Sequence, residues 1–398
     1  MKHIKSVTAF CLAASMALQI PVYAQIPDGY DEETWERLND NRLEYDEIED
    51  IIVNFSPTYI AAQQQMESAM NYSAYEQAAV DMRTAADDML VDLKQNLKNM
   101  EGYPAPSDPD DKEDYQLAVG SLIGAIEGTR GGAKQLEKAV ENMKKAIDRS
   151  LGTSVKGSLV TATESLMMSY YRLVYANELM DASVELSQAA YNSAVTQQNI
   201  GMGTADDVVA AQESLVSAKA QQEGFRYQLN QVKQNLCLLT GWEYNADIEI
   251  GAIPEPDQDR IAGMNPETDV EKAIGNNYTL SSTRRSGSSG MTAAQKQSRL
   301  RKMEEMEDQI KIQVNQAYQN VIQKQTAYQA ASAAYSSANT TYAGSQRQYQ
   351  LGMVSSLQFQ QLKVGYLSQK MNYENAKLDF FQAMEDYDWA IKGNLSLE

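Results

Sequence analysis

Two halves of this chain superimpose on one another with a constant offset of 151 residues. Ile200-Gly201-Met202-Gly203-Thr204-Ala205 falls on Leu351-Gly352-Met353-Val354-Ser355-Ser356, and Tyr191 upstream falls on Tyr342. A repeat of this kind means that one supersecondary unit is built twice. Each glycine lies between long segments free of proline, so each unit is expected to be a helix, a tight turn and a helix.

The segments after the turns carry a regular stripe. Leu215, Ala218, Gln222, Phe225, Leu229, Val232, Leu236 and Leu239 recur at alternating steps of three and four. Their counterparts are Tyr366, Gln369, Tyr373, Ala376, Phe380, Ala383, Tyr387 and Ala390. The segment before the second turn alternates small and large residues at Ala331, Tyr335, Ala338, Tyr342, Ser345 and Tyr349. A sustained 3.5-residue period implies left-handed coiled-coil packing. Helices from about Thr153 to Ile200 and from about Thr292 to Leu351 would run roughly 70 and 90 Å. Rods this long must bury their apolar stripes against further helices or further copies.

Composition supports narrow helical seams over a thick core or a sheet, with 23 tyrosines against 6 phenylalanines. Tyr328, Tyr335, Tyr342 and Tyr349 stand seven residues apart, which suits a helix seam better than a sugar- or base-binding surface.

The start of the chain reads as a secretory signal peptide: Lys2 and Lys5, an apolar stretch from Val7 to Ile20, then Val22-Tyr23-Ala24. Its removal takes Lys2 and Lys5 from the 34 basic residues and leaves 54 acidic ones, a net charge of −22. Such a surface repels nucleic acid and anionic lipid. Removal also takes the single histidine, His3, and leaves Cys237 as the one cysteine, within the apolar run Leu236-Cys237-Leu238-Leu239. The usual nucleophile-base pairs and most transition-metal sites cannot be assembled from what remains. The expectation is a protein that is not an enzyme, with no catalytic residue, cofactor or metal.

Exposed loops are expected from Gly102 to Asp111 and from Arg284 to Gly290, and an extended connector from Ile248 to Pro256. Gly128-Thr129-Arg130-Gly131-Gly132 lacks the Gly-Lys-Ser/Thr ending and preceding strand of a phosphate loop, and reads as a helix break.

Four features together resemble the TolC-like outer-membrane channel subunits of efflux pumps and type I secretion. These are the paired turns at Gly201 and Gly352, with Gly203-Thr204-Ala205-Asp206-Asp207-Val208 after the first, and Leu238-Leu239-Thr240-Gly241 with Ile250-Gly251-Ala252-Ile253-Pro254. The others are Leu43-Glu44-Tyr45-Asp46-Glu47-Ile48 through Asn54-Phe55-Ser56-Pro57, and Asp269-Val270-Glu271-Lys272-Ala273-Ile274-Gly275-Asn276-Asn277. The resemblance implies an all-α fold of long antiparallel coiled-coil hairpins in two tandem repeats, closed as a homotrimer into a helical barrel. Residues 1–24 would be the signal peptide, 25–242 the first repeat, 243–267 the connector and 268–398 the second repeat.

The same resemblance implies an export conduit that docks a membrane-fusion adaptor and, through it, an inner-membrane pump, either ABC or proton-driven. Docking would use the tips: Gly201, Met202, Gly203, Thr204, Ala205, Asp206 and Asp207 in the first repeat, Gly352, Met353, Val354, Ser355 and Ser356 in the second. Tyr349, Gln358 and Gln361 match the family's pore constriction, with glutamines in place of its aspartates. The family also inserts strand pairs that form a membrane barrel. Here residues 281–291 are too short and polar for two crossings, and residues 59–150 read as helix, so a relative without that barrel is expected. Location would be the cell envelope, the outer membrane by resemblance. The alternative is an extracytoplasmic coiled-coil scaffold or adhesion protein with no conducting pore.

Overall fold

The computed structural model describes residues 27, 29–100, 109–286, 290–395 and 397. The expected signal peptide lies outside them, as do residues 102–108 of the first expected loop and 287–289 of the second. The described residues up to Arg42 form one unit and those from Leu43 onward another. The first holds the short helix α1 (Glu32–Leu38), whose first turn is capped where Thr34 N donates to Asp31 Oδ1 at 2.8 Å.

The second unit is built from helices, as expected. In order they are α2 (Ile48–Phe55), α3 (Pro57–Met70), α4 (Tyr72–Met100), α5 (Pro109–Ser150), α6 (Gly157–Asn199), α7 (Ala205–Thr240), α8 (Arg260–Gly263), α9 (Pro266–Asn276), α10 (Tyr278–Arg285), α11 (Ala293–Gln350) and α12 (Ser356–Ile391). The connector is extended and contributes the two-residue strand Glu249–Ile250; beside it Gly251 N donates to the Leu43 carbonyl at 2.8 Å. Among the described residues no helix is long and apolar enough to cross a membrane.

The two repeats are the hairpins α6–α7 and α11–α12, and α6 packs on α12, so the helices stand in the row α7–α6–α12–α11. Each seam uses a different chemistry. Within the first hairpin the expected stripe of α7 faces α6, with Leu215 and Leu236 buried and Ala218, Gln222, Phe225, Leu229 and Val232 half-buried.

Within the second hairpin, rings alternate across the seam. Phe380, Tyr328, Tyr373, Tyr335, Tyr366, Tyr342, Phe359 and Tyr349 follow one another with centroids 5.7, 5.6, 5.1, 5.8, 4.5, 5.8 and 4.5 Å apart. Their faces are spent on one another, which is the packing role expected of the tyrosine stripe. The Tyr335 hydroxyl beside Tyr366, aided by burial, pushes that phenol up to about 12.

Between the hairpins the seam is ionic: Lys363 to Glu185 at 2.5 Å, Lys370 to Glu178 at 2.8 Å and Arg172 to Asp379 at 2.7 Å. Lys363 and Lys370 lie one heptad apart, as do Glu178 and Glu185. Each half-exposed pair contributes about 0.2–1 kcal/mol, so their repetition fixes register more than stability.

Three sequence expectations are corrected. Gly128 to Gly132 does not break a helix but lies within α5. That helix is held by pairing with α4 through Ala86, Leu93 and Ile126, flanked by Arg130–Asp87 at 2.6 Å and Arg83–Glu137. Gly132 gives room to Met82, whose Cε would lie 2.6 Å from a Cβ there. Secondly, helix extends into both expected loops, α5 starting at Pro109 and α10 ending at Arg285. Thirdly, no break precedes Thr153. A π-helical stretch, Leu151–Lys156, joins α5 to α6 in one helical run from residue 109 to 199. Such widened turns absorb an extra residue without ending a helix. The α4–α5 hairpin therefore extends away from the α6–α7 turn.

Where the hairpins meet at their base, Glu164 of α6 is buried and accepts from Trp389 Nε1 of α12 at 3.2 Å. Burial, reinforced by the charge of Glu385, pushes its carboxyl up to about 7, while the Trp389 donor and the charge of Lys392 act the other way. Burial and the same carboxylate hold the Tyr45 phenol protonated far above its usual range. Because the folded state holds the proton more tightly than the unfolded chain, the resulting stabilisation is complete below the ordinary carboxylate range and is lost as pH rises through about 7. Glu164→Gln, which keeps an acceptor for Trp389, should flatten thermal stability between about pH 5 and 8 by on the order of 2 kcal/mol. Melting curves across that window, which would keep the wild-type slope if another group were responsible, check this.

Candidate functional site

The two hairpin turns share one backbone design. In the first, Ile200 ends α6, Gly201 takes φ +76°, Gly201 N donates to Gln198 O at 3.0 Å and Met202 N to Gln197 O at 2.8 Å. In the second, Leu351 ends α11, Gly352 takes φ +70°, Gly352 N donates to Tyr349 O at 3.0 Å and Met353 N to Gln348 O at 2.8 Å. This paired closure satisfies the last carbonyls of each helix and needs a left-handed residue at its centre, which is why glycine stands at both positions.

The returning helices begin with reciprocal caps. Thr204 Oγ1 accepts from Asp207 N at 3.2 Å while Asp207 Oδ2 accepts from Thr204 N at 2.8 Å. The Thr204 hydrogen bonds hold the Asp207 carboxyl below its ordinary range. Ser355 Oγ accepts from Gln358 N at 3.2 Å and Gln358 Oε1 accepts from Ser355 N at 3.1 Å. The Thr-x-x-Asp and Ser-x-x-Gln spacings are the sequence signal for these boxes, and they give Thr204, Asp207, Ser355 and Gln358 roles that the sequence reading did not assign. Gln358, expected at a pore mouth, thus spends its carbonyl oxygen on a helix end. Gln361, one turn on, is exposed, and Tyr349 stacks on Phe359 at 4.5 Å.

What the turns present outward is apolar. Met202 and Met353 are 78 % and 69 % exposed, and Ile200 and Leu351 stand out beside them. Ala205, Asp206 and Ser356 are exposed as well, with Val354 half-buried. Gly203 is tighter than its neighbours, since a Cβ there would lie 3.2 Å from Gln197 Cβ and the Gln198 nitrogen.

Just inside the tips the two hairpins enclose an open groove of about 1160 Å³, lined on one side by Glu185, Gln188 and Asn192 of α6 and on the other by Ser355, Ser356 and Gln360 at the start of α12. Side chains from both turns and both repeats thus converge on one end of the row. The arrangement has large flexible apolar side chains on rigid helix ends beside a polar groove. It is suited to seating another protein's helices and offers no nucleophile-base pair.

No family model matches the chain, and no curated protein matches it. In structure it is similar to the CmeC outer membrane channel of Campylobacter jejuni, with a TM-score of 0.49 and 12 % identity over 90 % of this chain and 87 % of that one. It is also similar to the outer membrane protein VceC of Vibrio cholerae, with a TM-score of 0.48 and 14 % identity over 90 % of this chain and 98 % of that one. A membrane protein of Pseudomonas aeruginosa gives 0.47 and 14 % over 88 % and 90 %.

Proposed function

We propose that the chain is the subunit of a trimeric TolC-like export conduit of the cell envelope, docking an adaptor through its hairpin tips. One observation carries this reading: the row α7–α6–α12–α11 has two outer edges, and each keeps a stripe of exposed side chains facing away from its own seam. On α7 this stripe is bulky, with Val209, Val216, Tyr227 and Leu238 exposed. On α11 it is small, with Ala330, Ala333, Ser337, Thr340 and Gly344 exposed, and a Cβ at Gly344 would meet nothing within 4 Å. Large side chains on one edge and spaces on the other are the requirement for head-to-tail closure of copies into a ring. Both edges run antiparallel from the tips, so Val209 and Gly344 stand at matching heights. The resemblance of the turn sequences supplies the number three, and the exposed tip methionines supply the docking surface.

Light scattering of the purified protein is expected to give three chains per particle, and Val216→Glu with Tyr227→Glu to give single chains of unchanged helicity. A monomeric wild type would overturn the reading in favour of a scaffold. A Met202→Asp, Met353→Asp variant should keep the trimer mass, because neither side chain caps a helix, yet lose roughly tenfold or more in capture of the cognate adaptor.

A further inference from the structure

Between Ala273 and Met303 the chain carries six basic residues and no acidic one, in a protein whose net charge is −20. The fold gathers them at one corner. Arg284 pairs with Glu307 at 2.7 Å, and Arg299 donates to the carbonyls of Thr283 and, at 3.3 Å, Arg284, fixing α10 alongside the start of α11. Arg285, Lys296, Arg301 and Lys302 are exposed and form no ion pair among the described residues. The first ten residues of α11 are all exposed apart from Arg299, so the corner projects beyond the core. Exposed Met291 and Leu300 lie among the charges. Since α11 runs 58 residues to the second turn, the corner stands about 85 Å from the tips.

We infer that this corner binds the phosphate headgroups of an anionic membrane surface. Four unneutralised cations gathered on one exposed corner match a negative plane, and the interleaved Met291 and Leu300 suit the boundary between headgroups and acyl chains, which a soluble polyanion lacks. The acidic remainder of the molecule is repelled by the same surface, so the attraction is confined to the corner. The inference does not depend on the number of chains or on a pore.

The test is co-sedimentation of the purified chain with vesicles of phosphatidylcholine alone or with about 30 % phosphatidylglycerol, compared with a Lys296→Gln, Arg301→Gln, Lys302→Gln variant. Those three side chains are exposed and leave the Arg284 and Arg299 contacts in place, and circular dichroism confirms the fold. Expected are binding to the anionic vesicles only, its loss in high salt, and roughly a hundredfold weaker binding by the variant. Failure of the wild type to bind, equal binding to neutral vesicles, or undiminished binding by the variant overturns the inference. So does binding of soluble polyphosphate without vesicle binding, or a low-salt increase in mass abolished by the variant without vesicle binding. These would assign the corner to a polyanion or to another copy.

Discussion

Replacing Leu236 by aspartate is expected to lower the melting temperature by roughly 5 °C, and Leu229→Asp by a third of that or less. Both residues occupy the same heptad stripe of α7, and on sequence alone they are equivalent. In the folded chain Leu236 is fully buried on the stretch of α7 that also meets α2, whereas Leu229 is half-buried on a stretch reached by α6. A carboxylate at Leu236 is placed out of reach of water and costs about 3–5 kcal/mol or shifts its pKa instead. At Leu229 the side chain can turn to solvent. Thermal melts followed by circular dichroism decide the point, and equal losses in the two variants would contradict the two-sided burial of the α7 base.

Gly241→Ala is expected to cost about 3 kcal/mol or more, while Gly124→Ala is expected to stabilise by about 0.5–1 kcal/mol. Gly241 closes α7 with φ +86°, a region costly to any side chain, and an added Cβ would lie 2.1 Å from the Phe55 carbonyl oxygen and 2.9 Å from its carbon. Backbone atoms cannot swing aside as a side chain end can. Gly124 sits in the middle of α5 with nothing within 4 Å of the same position, so alanine there removes only the entropic penalty of glycine in a helix. Denaturant unfolding of the two variants should move in opposite directions. A Gly241→Ala protein as stable as wild type would mean that α2 does not pack against the end of α7.

The sequence by itself determined what depends on neighbours along the chain. The spacing of Leu215, Phe225, Leu229 and Leu236, the rings from Tyr328 to Tyr349, and the glycines at 201 and 352 are local signals, because helix periodicity and left-handed turns are properties of a few consecutive residues. They suffice to specify two antiparallel hairpins and the tips that join them. The caps at Thr204 and Ser355 were equally local, legible as Thr-x-x-Asp and Ser-x-x-Gln.

Only the tertiary structure decided which helix faces meet. The pairing of Lys370 with Glu178 joins residues nearly two hundred positions apart that carry no mark of one another. It puts α6 beside α12 and leaves α7 and α11 as the free edges. Likewise Gly128 to Gly132 stays helical because α4 lies alongside, the π-helical stretch carries α5 into α6, and Arg284 and Arg299 fold one Arg/Lys-rich segment into a corner. In each case a long-range contact outweighs a local propensity of about 1 kcal/mol, a difference in energy that short-range pattern does not contain.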